Sequence, residues 1–327
     1  MRSHRLLTAT LIVGALLLMR VPTAGAWSNE AHSIVALVAD RLLRTTDPAL
    51  ARSITKLLQS DNSNLTSATD IGTEATWADR FRDTPAGRSS SNWHFVDLDV
   101  DRPDLSADCF GRPKLQAGQL ASEGPADDCV VGKIEQFAAE LRSAATPPVE
   151  RLRALQFLLH FVGDIHQPLH AAEHRITTNA AKRDFGGNCV GVLHGRANVP
   201  IRLHSYWDDN LVTGSVGTDP RRAADQIAAS LTDDQKVFWG GGTPADWAKE
   251  SHEIAVTVTY NQILNVTPVA TFQFKGRNGQ PDTRCGVSDV FRLNNDYDMR
   301  ARETVKEQLA KAGVRLAWLL RENFTPR

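Results

Sequence analysis

The sequence predicts one mainly α-helical domain with long functional loops, preceded by an apolar leader. Three observations predict it. Apolar residues recur at helical spacing in seven separate stretches. Apolar–polar alternation is confined to Asp184 to Leu203, which admits one short β-hairpin around its Gly and Pro residues. No repeat, low-complexity tract or long linker divides the chain. With 327 residues, 42% hydrophobic and 23% charged, the composition excludes a disordered, collagenous or coiled-coil protein. Lys and Arg number 37 against 38 Asp and Glu, a net charge of −1. The chain as a whole is therefore no basic nucleic-acid binder, and any such contact must be local.

Residues 1–26 read as a secretory signal. Arg2 and Arg5 form a positive start, Leu6 to Met19 is apolar, and Ala24 and Ala26 give a small-x-small cleavage pattern after Ala26. The apolar run is short of the roughly 20 residues that span a bilayer. Losing Arg2, Arg5 and Arg20 leaves residues 27–327 with 34 basic and 38 acidic side chains, a charge of −4. A secreted or periplasmic protein, with no membrane contact after cleavage, is expected.

The first helix is expected over Glu30 to Leu43, with Ile34, Val35, Leu37, Val38, Leu42 and Leu43 on a broad stripe. Pro48 to Leu58, Val131 to Ala144, Pro148 to Gln167, Arg221 to Ala229, Pro244 to Val258 and Ala301 to Asn323 follow the same period. Asn92 to Asp128, rich in Asp, Pro and Gly, reads as loop. Cys109, Cys129, Cys189 and Cys285 contain no C-x-x-C pair, so two disulfides are expected rather than a cysteine zinc ribbon. Three pairings are open.

The chemistry concentrates in Leu158 to His170. His160 and Asp164 lie four apart, on one helix face. Pro168 ends the helix near Gln167, and the turn can bring His170 back towards them. A second His-x-x-x-Asp occurs at His204 and Asp208. One such pair is more often a surface ion pair. Two, with Asp79 and His94 each near a Trp on what reads as loop, suit a multinuclear zinc site of imidazole and carboxylate donors. Cleavage after Ala26 would free the Trp27 amine as a further nitrogen donor, five residues before His32. His166 falls off the Asp164 face and is left out, and His174, His194 and His252 read as surface or supporting groups.

Over nearly the whole of residues 27–327 the sequence resembles the zinc-dependent single-strand nucleases, the S-one/P-one or type I family. The resemblance is carried by Trp-Ala-Asp at 77–79, Trp-His-Phe at 93–95, His-x-x-Gly-Asp-x-x-Gln-Pro-Leu-His at 160–170, Asp-x-Gly-Gly-Asn at 184–188 and Leu-His-x-x-Trp-Asp at 203–208. It implies an all-α fold similar to zinc phospholipase C, and three zinc ions per chain. Asp79, His94, His160 and Asp164 would hold one. Trp27, through amine and carbonyl, His32 and the bridging Asp164 would hold its neighbour. His170, His204 and Asp208 would hold the third. A zinc-activated water would attack the phosphodiester, with Asp79 able to orient it, and leave 5′-phosphorylated products. Single-stranded DNA and RNA would be the substrates, with 3′-nucleotides as further ones; no stable protein partner is implied. Arg82 matches a family position that contacts the scissile phosphate. Phe95 and Asp97 match the base site, one stacking and the other accepting from the base edge. Asn188 is read as orienting a ligand or lining the cleft. A zinc phospholipase C and a non-catalytic zinc-binding protein are the competing readings. Departures from the fungal pattern are Trp-Ser-Asn-Glu-Ala-His at the start, the insertion after His94 and the cysteine placement.

Overall fold

Local sequence chemistry starts the helices. In a computed structural model that describes residues 27–175, 183–264, 266–276 and 278–324, the first helix runs Asn29–Thr46, and the Ser28 side chain caps it by accepting from the Ala31 N–H. Proline opens the helices Pro48–Leu58, Pro148–Asp164, Pro220–Ser230 and Pro244–Ile254, where its missing N–H costs nothing. Asp47, Asp219 and Thr243 cap three of them with side-chain oxygens. Val130–Arg142 and Asn295–Asn323 complete the set of long helices.

The first helix packs on the C-terminal helix, on Pro220–Ser230 and on the central helix Pro148–Asp164. The central helix is buried along almost its whole length. Its Phe157 and Phe161 join Trp77, Trp93 and Phe137 in one aromatic cluster, with Phe137 stacked on Phe157 at 4.6 Å. The core is continuous from Trp27 to Phe324. The protein is mainly helical, as expected.

The expected hairpin exists: β1 (Gly191–Leu193) pairs antiparallel with β2 (Ile201–Arg202). It belongs to a larger sheet that was not anticipated. β4 (Val287–Arg292) lies parallel to β1, and β3 (Ala270–Gln273) pairs antiparallel with β4, giving the order β2-β1-β4-β3. β3 is exposed along its length, so it lacks the one-sided apolar pattern by which a strand is recognised.

The Asn92–Asp128 segment is mostly irregular, with short turns at Leu105–Asp108 and Ala121–Glu123. Asp79 and His94, expected on loops, instead sit on a short helix, Trp77–Arg82, and at the end of a 3-10 helix, Arg88–His94. The cysteines pair Cys109–Cys129 and Cys189–Cys285. The proposed signal, residues 1–26, lies outside the described residues. Among the described residues no helix is long and apolar enough to cross a membrane.

Candidate metal centre

Buried His and Asp side chains converge on Asp164, at the C-terminal end of the central helix. Its Oδ2 lies 3.2 Å from His160 Nε2 and 3.0 Å from His94 Nδ1. Its Oδ1 lies 3.4 Å from His32 Nε2 and 3.1 Å from His170 Nδ1. One carboxylate thus faces four imidazoles, two from each oxygen. Asp79 Oδ1 stands 3.6 Å from His160 Nε2 and 3.7 Å from His94 Nδ1.

Three groups result: His32, His160 and Asp164; Asp79, His94 and His160; and His170, His204 and Asp208. The first two share His160, whose ring stacks on His32 at a centroid distance of 3.7 Å. In the third, His204 Nε2 lies 3.2 Å from Asp208 Oδ2, and the His170 and His204 rings stack at 5.1 Å. Asp208 lies on a π-turn, Tyr206–Asn210, directly after the short helix that carries His204. Trp27 is fully buried, and the N–H of Ser28 donates to the Asp208 carbonyl at 3.3 Å.

The surrounding backbone sets the imidazole tautomers. His160 Nδ1 lies 2.7 Å from the Ala75 carbonyl, and His204 Nδ1 lies 2.7 Å from that of Gly186. A carbonyl only accepts, so Nδ1 of each ring carries a proton, and in the neutral ring Nε2 is the bare nitrogen. Gln167 Nε2 donates to Asp208 Oδ1 at 2.8 Å. Ala75, Gly186 and Gln167 are contributors that residue-type reasoning missed. Gln167, next to the helix-ending Pro168, and Gly186, in the Asp-x-Gly-Gly-Asn motif, each had a sequence signal; Ala75 had none.

Several side-chain atoms of this set are buried with no hydrogen-bond partner: both nitrogens of His32, Asp79 Oδ1, His94 Nε2, His160 Nε2, Asp164 Oδ1, His170 Nδ1 and Asp208 Oδ2. Leaving so many polar atoms unpaired would be costly, and a cation would satisfy the carboxylate oxygens and one nitrogen of each imidazole. Electrostatics agrees. Burial pushes the His32 imidazole down, and it takes His94 down to about 4 with Arg82 adding to the effect. Burial also takes His204 down to about 3. These imidazoles are neutral, as ligands must be. Burial works against the charge of Asp164, but His160 and His170 outweigh it and hold its carboxyl well below the usual range. Asp208 is raised well above that range by burial, with the carboxylates of Asp209, Asp164 and Asp79 adding to the effect. Keeping it ionised requires added positive charge.

The remaining predicted residues divide. Arg82 forms an ion pair with Asp79 at the edge of the cluster, its guanidinium 2.7 Å from Oδ1 without the geometry of a hydrogen bond. Phe95 is half-buried, between the ligand-type His94 and the helix starting at Val130, whose N–H donates to the Phe95 carbonyl at 3.1 Å. Asp97 is half-buried as well. Burial, reinforced by Glu173, pushes its carboxyl up to about 8, so at neutral pH it can donate as well as accept. Asn188 turns its amide to the Phe185 carbonyl at 2.9 Å, within its own turn, and the contact with the cluster comes from Gly186 instead. His166 is fully buried with both nitrogens engaged, by the Val162 carbonyl at 2.7 Å and by Arg315 at 2.8 Å, which leaves none for a metal. His252, read as surface or supporting, is buried against the Asp99 carbonyl at 3.1 Å.

Comparison with known proteins bears on this arrangement. The family model described as S1/P1 Nuclease matches residues 27–325. Endonuclease 4 of Arabidopsis thaliana is 26% identical over 312 residues, covering 92% of this chain and 90% of that protein. Nuclease S1 of Aspergillus oryzae is 25% identical over 297 residues, covering 90% of each. Nuclease P1 of Penicillium citrinum is 25% identical over 315 residues, covering 90% of this chain and 96% of that protein.

Proposed function

The chain belongs to the S1/P1 nuclease family and is a phosphodiester hydrolase, and from that premise we propose a zinc-dependent endonuclease of single-stranded DNA and RNA that leaves 5′-phosphates and also removes phosphate from 3′-nucleotides. One observation carries the reading: buried, unpartnered nitrogen and oxygen donors meet in three groups around Asp164. Asp79, His94, His160 and Asp164 would hold one zinc. Trp27, through the amine exposed by cleavage after Ala26, would hold a second with His32 and Asp164. His170, His204 and Asp208 would hold the third. Zinc there supplies an acidified water near neutral pH and neutralises charge on phosphate oxygens.

The protein's own groups do the rest. Asp79 accepts a hydrogen bond from the attacking water and aligns it. Arg82, held beside Asp79, offers its N–H groups to a non-bridging phosphate oxygen. Phe95 stacks a base, and the Asp97 carboxyl reads its edge by donating and accepting. Both contacts need a splayed base, which a duplex yields only at an unstacking cost. That accounts for a single-strand preference without a strongly basic surface. Two disulfides and the apolar leader support a secreted or periplasmic protein.

The test is product analysis with the zinc-loaded protein beginning at Trp27, on RNA, single-stranded DNA, duplex DNA and 3′-mononucleotides. The expected result is 5′-phosphate ends from both single strands, phosphate release from 3′-nucleotides and slow attack on duplex. Preferred cleavage of duplex, or 3′-phosphate ends, would contradict the reading.

A further inference from the structure

Arg202 ends β2, two residues before His204. Its guanidinium joins three segments. One terminal nitrogen donates to the Asn188 carbonyl and lies 3.6 Å from Cys285 Sγ. The other donates to the Lys275 carbonyl at 3.1 Å and to Asp282 Oδ2 at 3.0 Å. The guanidinium also lies 4.7 Å from the centre of the Phe274 ring. The side chain is only 11% exposed. Such investment in one strand end calls for an explanation, and the Asn188 contact supplies it.

Asn188 belongs to the Asp184–Val190 turn, which grips the next segment at three points. The Gly186 carbonyl accepts from His204 Nδ1 at 2.7 Å, the Gly187 carbonyl from the His204 N–H at 3.3 Å, and the Val190 carbonyl from the Leu203 N–H at 2.8 Å. The turn holds an unfavourable shape. Phe185, Gly186 and Gly187 all have positive φ, at 53°, 58° and 77°. A Cβ on Gly186 would come within 2.5 Å of the Leu169 carbonyl oxygen. Three consecutive left-handed residues, one of them Phe, do not hold themselves in place; neighbours must over-determine them. Two links tie the turn to the β3–β4 connection: the Cys189–Cys285 bond and, from the end of β2, Arg202, braced on Lys275, Asp282 and Phe274.

We propose that Arg202 is the positioning residue of the His170, His204 and Asp208 group. By fixing the Asn188 carbonyl it fixes the turn, so that the Gly186 carbonyl keeps the proton on His204 Nδ1 and leaves Nε2 bare for a cation. The fork is essential. A lysine could reach Asp282, but its single ammonium cannot hold the Asn188 and Lys275 carbonyls together in a fixed plane. The inference rests on reading that group as a metal site, and its test separates the two.

The experiment uses the full chain beginning at Trp27, stripped of metal and reloaded. Stepwise zinc affinity is measured by chelator competition, and cobalt(II) absorption spectra are recorded at each step. His204→Ala identifies the step that belongs to this group. Arg202→Gln is expected to weaken that step by about 10–100-fold, as for other groups that orient a ligand, to change the cobalt spectrum of that step alone, and to leave the other steps unchanged. Arg202→Lys should recover little of the loss, and Asp282→Asn should show a smaller loss at the same step. Equal weakening of every step would make Arg202 a general stabiliser and overturn the proposal, as would unchanged affinity at the His204 step. If Arg202→Gln fails to fold, Asp282→Asn decides by the same two criteria. Should His204→Ala bind as much zinc as the unaltered protein, the metal reading of the group fails, and the inference fails with it.

Discussion

Asp164 is the residue on which the site turns, because each carboxylate oxygen faces a different pair of imidazoles. Asp164→Asn replaces one oxygen with an amide nitrogen that cannot bind a cation and removes the charge that, on the proposed reading, would balance two zincs. We expect loss of about two zincs per chain, the number a bridging carboxylate would serve, and loss of most activity. His166, two residues on, provides the contrast. Its sequence position alone suggests a mild substitution, but it is buried between Val162 and Arg315. His166→Ala should therefore cost about 1–3 kcal/mol by leaving buried partners unsatisfied, with zinc content intact. Equal zinc content in the two variants would contradict this account of the helix. Gly163 gives a further test. A Cβ there would meet His32 Nδ1 at 2.7 Å, and the His32 ring, stacked on His160, cannot easily retreat. Ala also favours the helix over Gly by about 1 kcal/mol. Because that overlap with a buried ring opposes the helix gain, Gly163→Ala should lower the stability of the metal-free fold and also weaken zinc binding. Unchanged zinc affinity would mean that the His32 ring moves freely.

Elements carry the second layer of evidence. The long helices were legible from their wide apolar stripes, reinforced at some starts by proline and a side-chain cap; Thr243-Pro244 followed by Asp246 is one such start. The Asp233–Trp239 helix was not, since none of its residues is fully buried and no stripe marks it. Eight His and Asp side chains that the structure brings together were candidates from their types and spacing, and the family resemblance supplied their grouping and the place of the ninth, Trp27, within it. Gly163 and Arg202 were not legible, because their roles depend on which distant segment folds against them. The same holds for Lys133 on the Val130–Arg142 helix. Its fully buried ammonium donates to the Ala121 carbonyl at 2.9 Å and sits 3.8 Å from the Trp93 ring centre, tying the irregular segment down beside His94. Burial lowers its pKa from 10.5 to about 8. The unfolded chain keeps this proton up to pH 10.5, whereas the folded chain releases it above about 8. Unfolding therefore takes up a proton between those values, and stability from this group rises with pH by up to about 1.4 kcal/mol per unit. Urea unfolding of Lys133→Met should lack that rise. Parallel profiles for variant and unaltered protein would show that Lys133 does not titrate there.

At the scale of the whole molecule, folding, processing and metal binding become one problem. The buried donors come from segments spread between Trp27 and Asp208, so only the folded chain presents them together. Each metal at a hundred times its Kd then adds about 2.7 kcal/mol of stability. Processing enters through Trp27. If its amine is a ligand, one retained residue ahead of it turns that nitrogen into a poor amide donor. A form beginning Met-Trp27 should fold, lose one zinc and lose most activity, as read from intact mass, zinc content and hydrolysis of single-stranded DNA on one preparation. Full occupancy and full activity in that form would remove Trp27 from the ligand set.

The most direct test of the metal centre is a zinc titration of the stripped protein beginning at Trp27, following bound zinc, thermal stability and cleavage of single-stranded DNA in the same samples. The account predicts binding that saturates at three zincs per chain, with stability rising through the titration and activity appearing only as the sites fill. A verified metal-free protein that already cleaves single-stranded DNA at the full rate would contradict it.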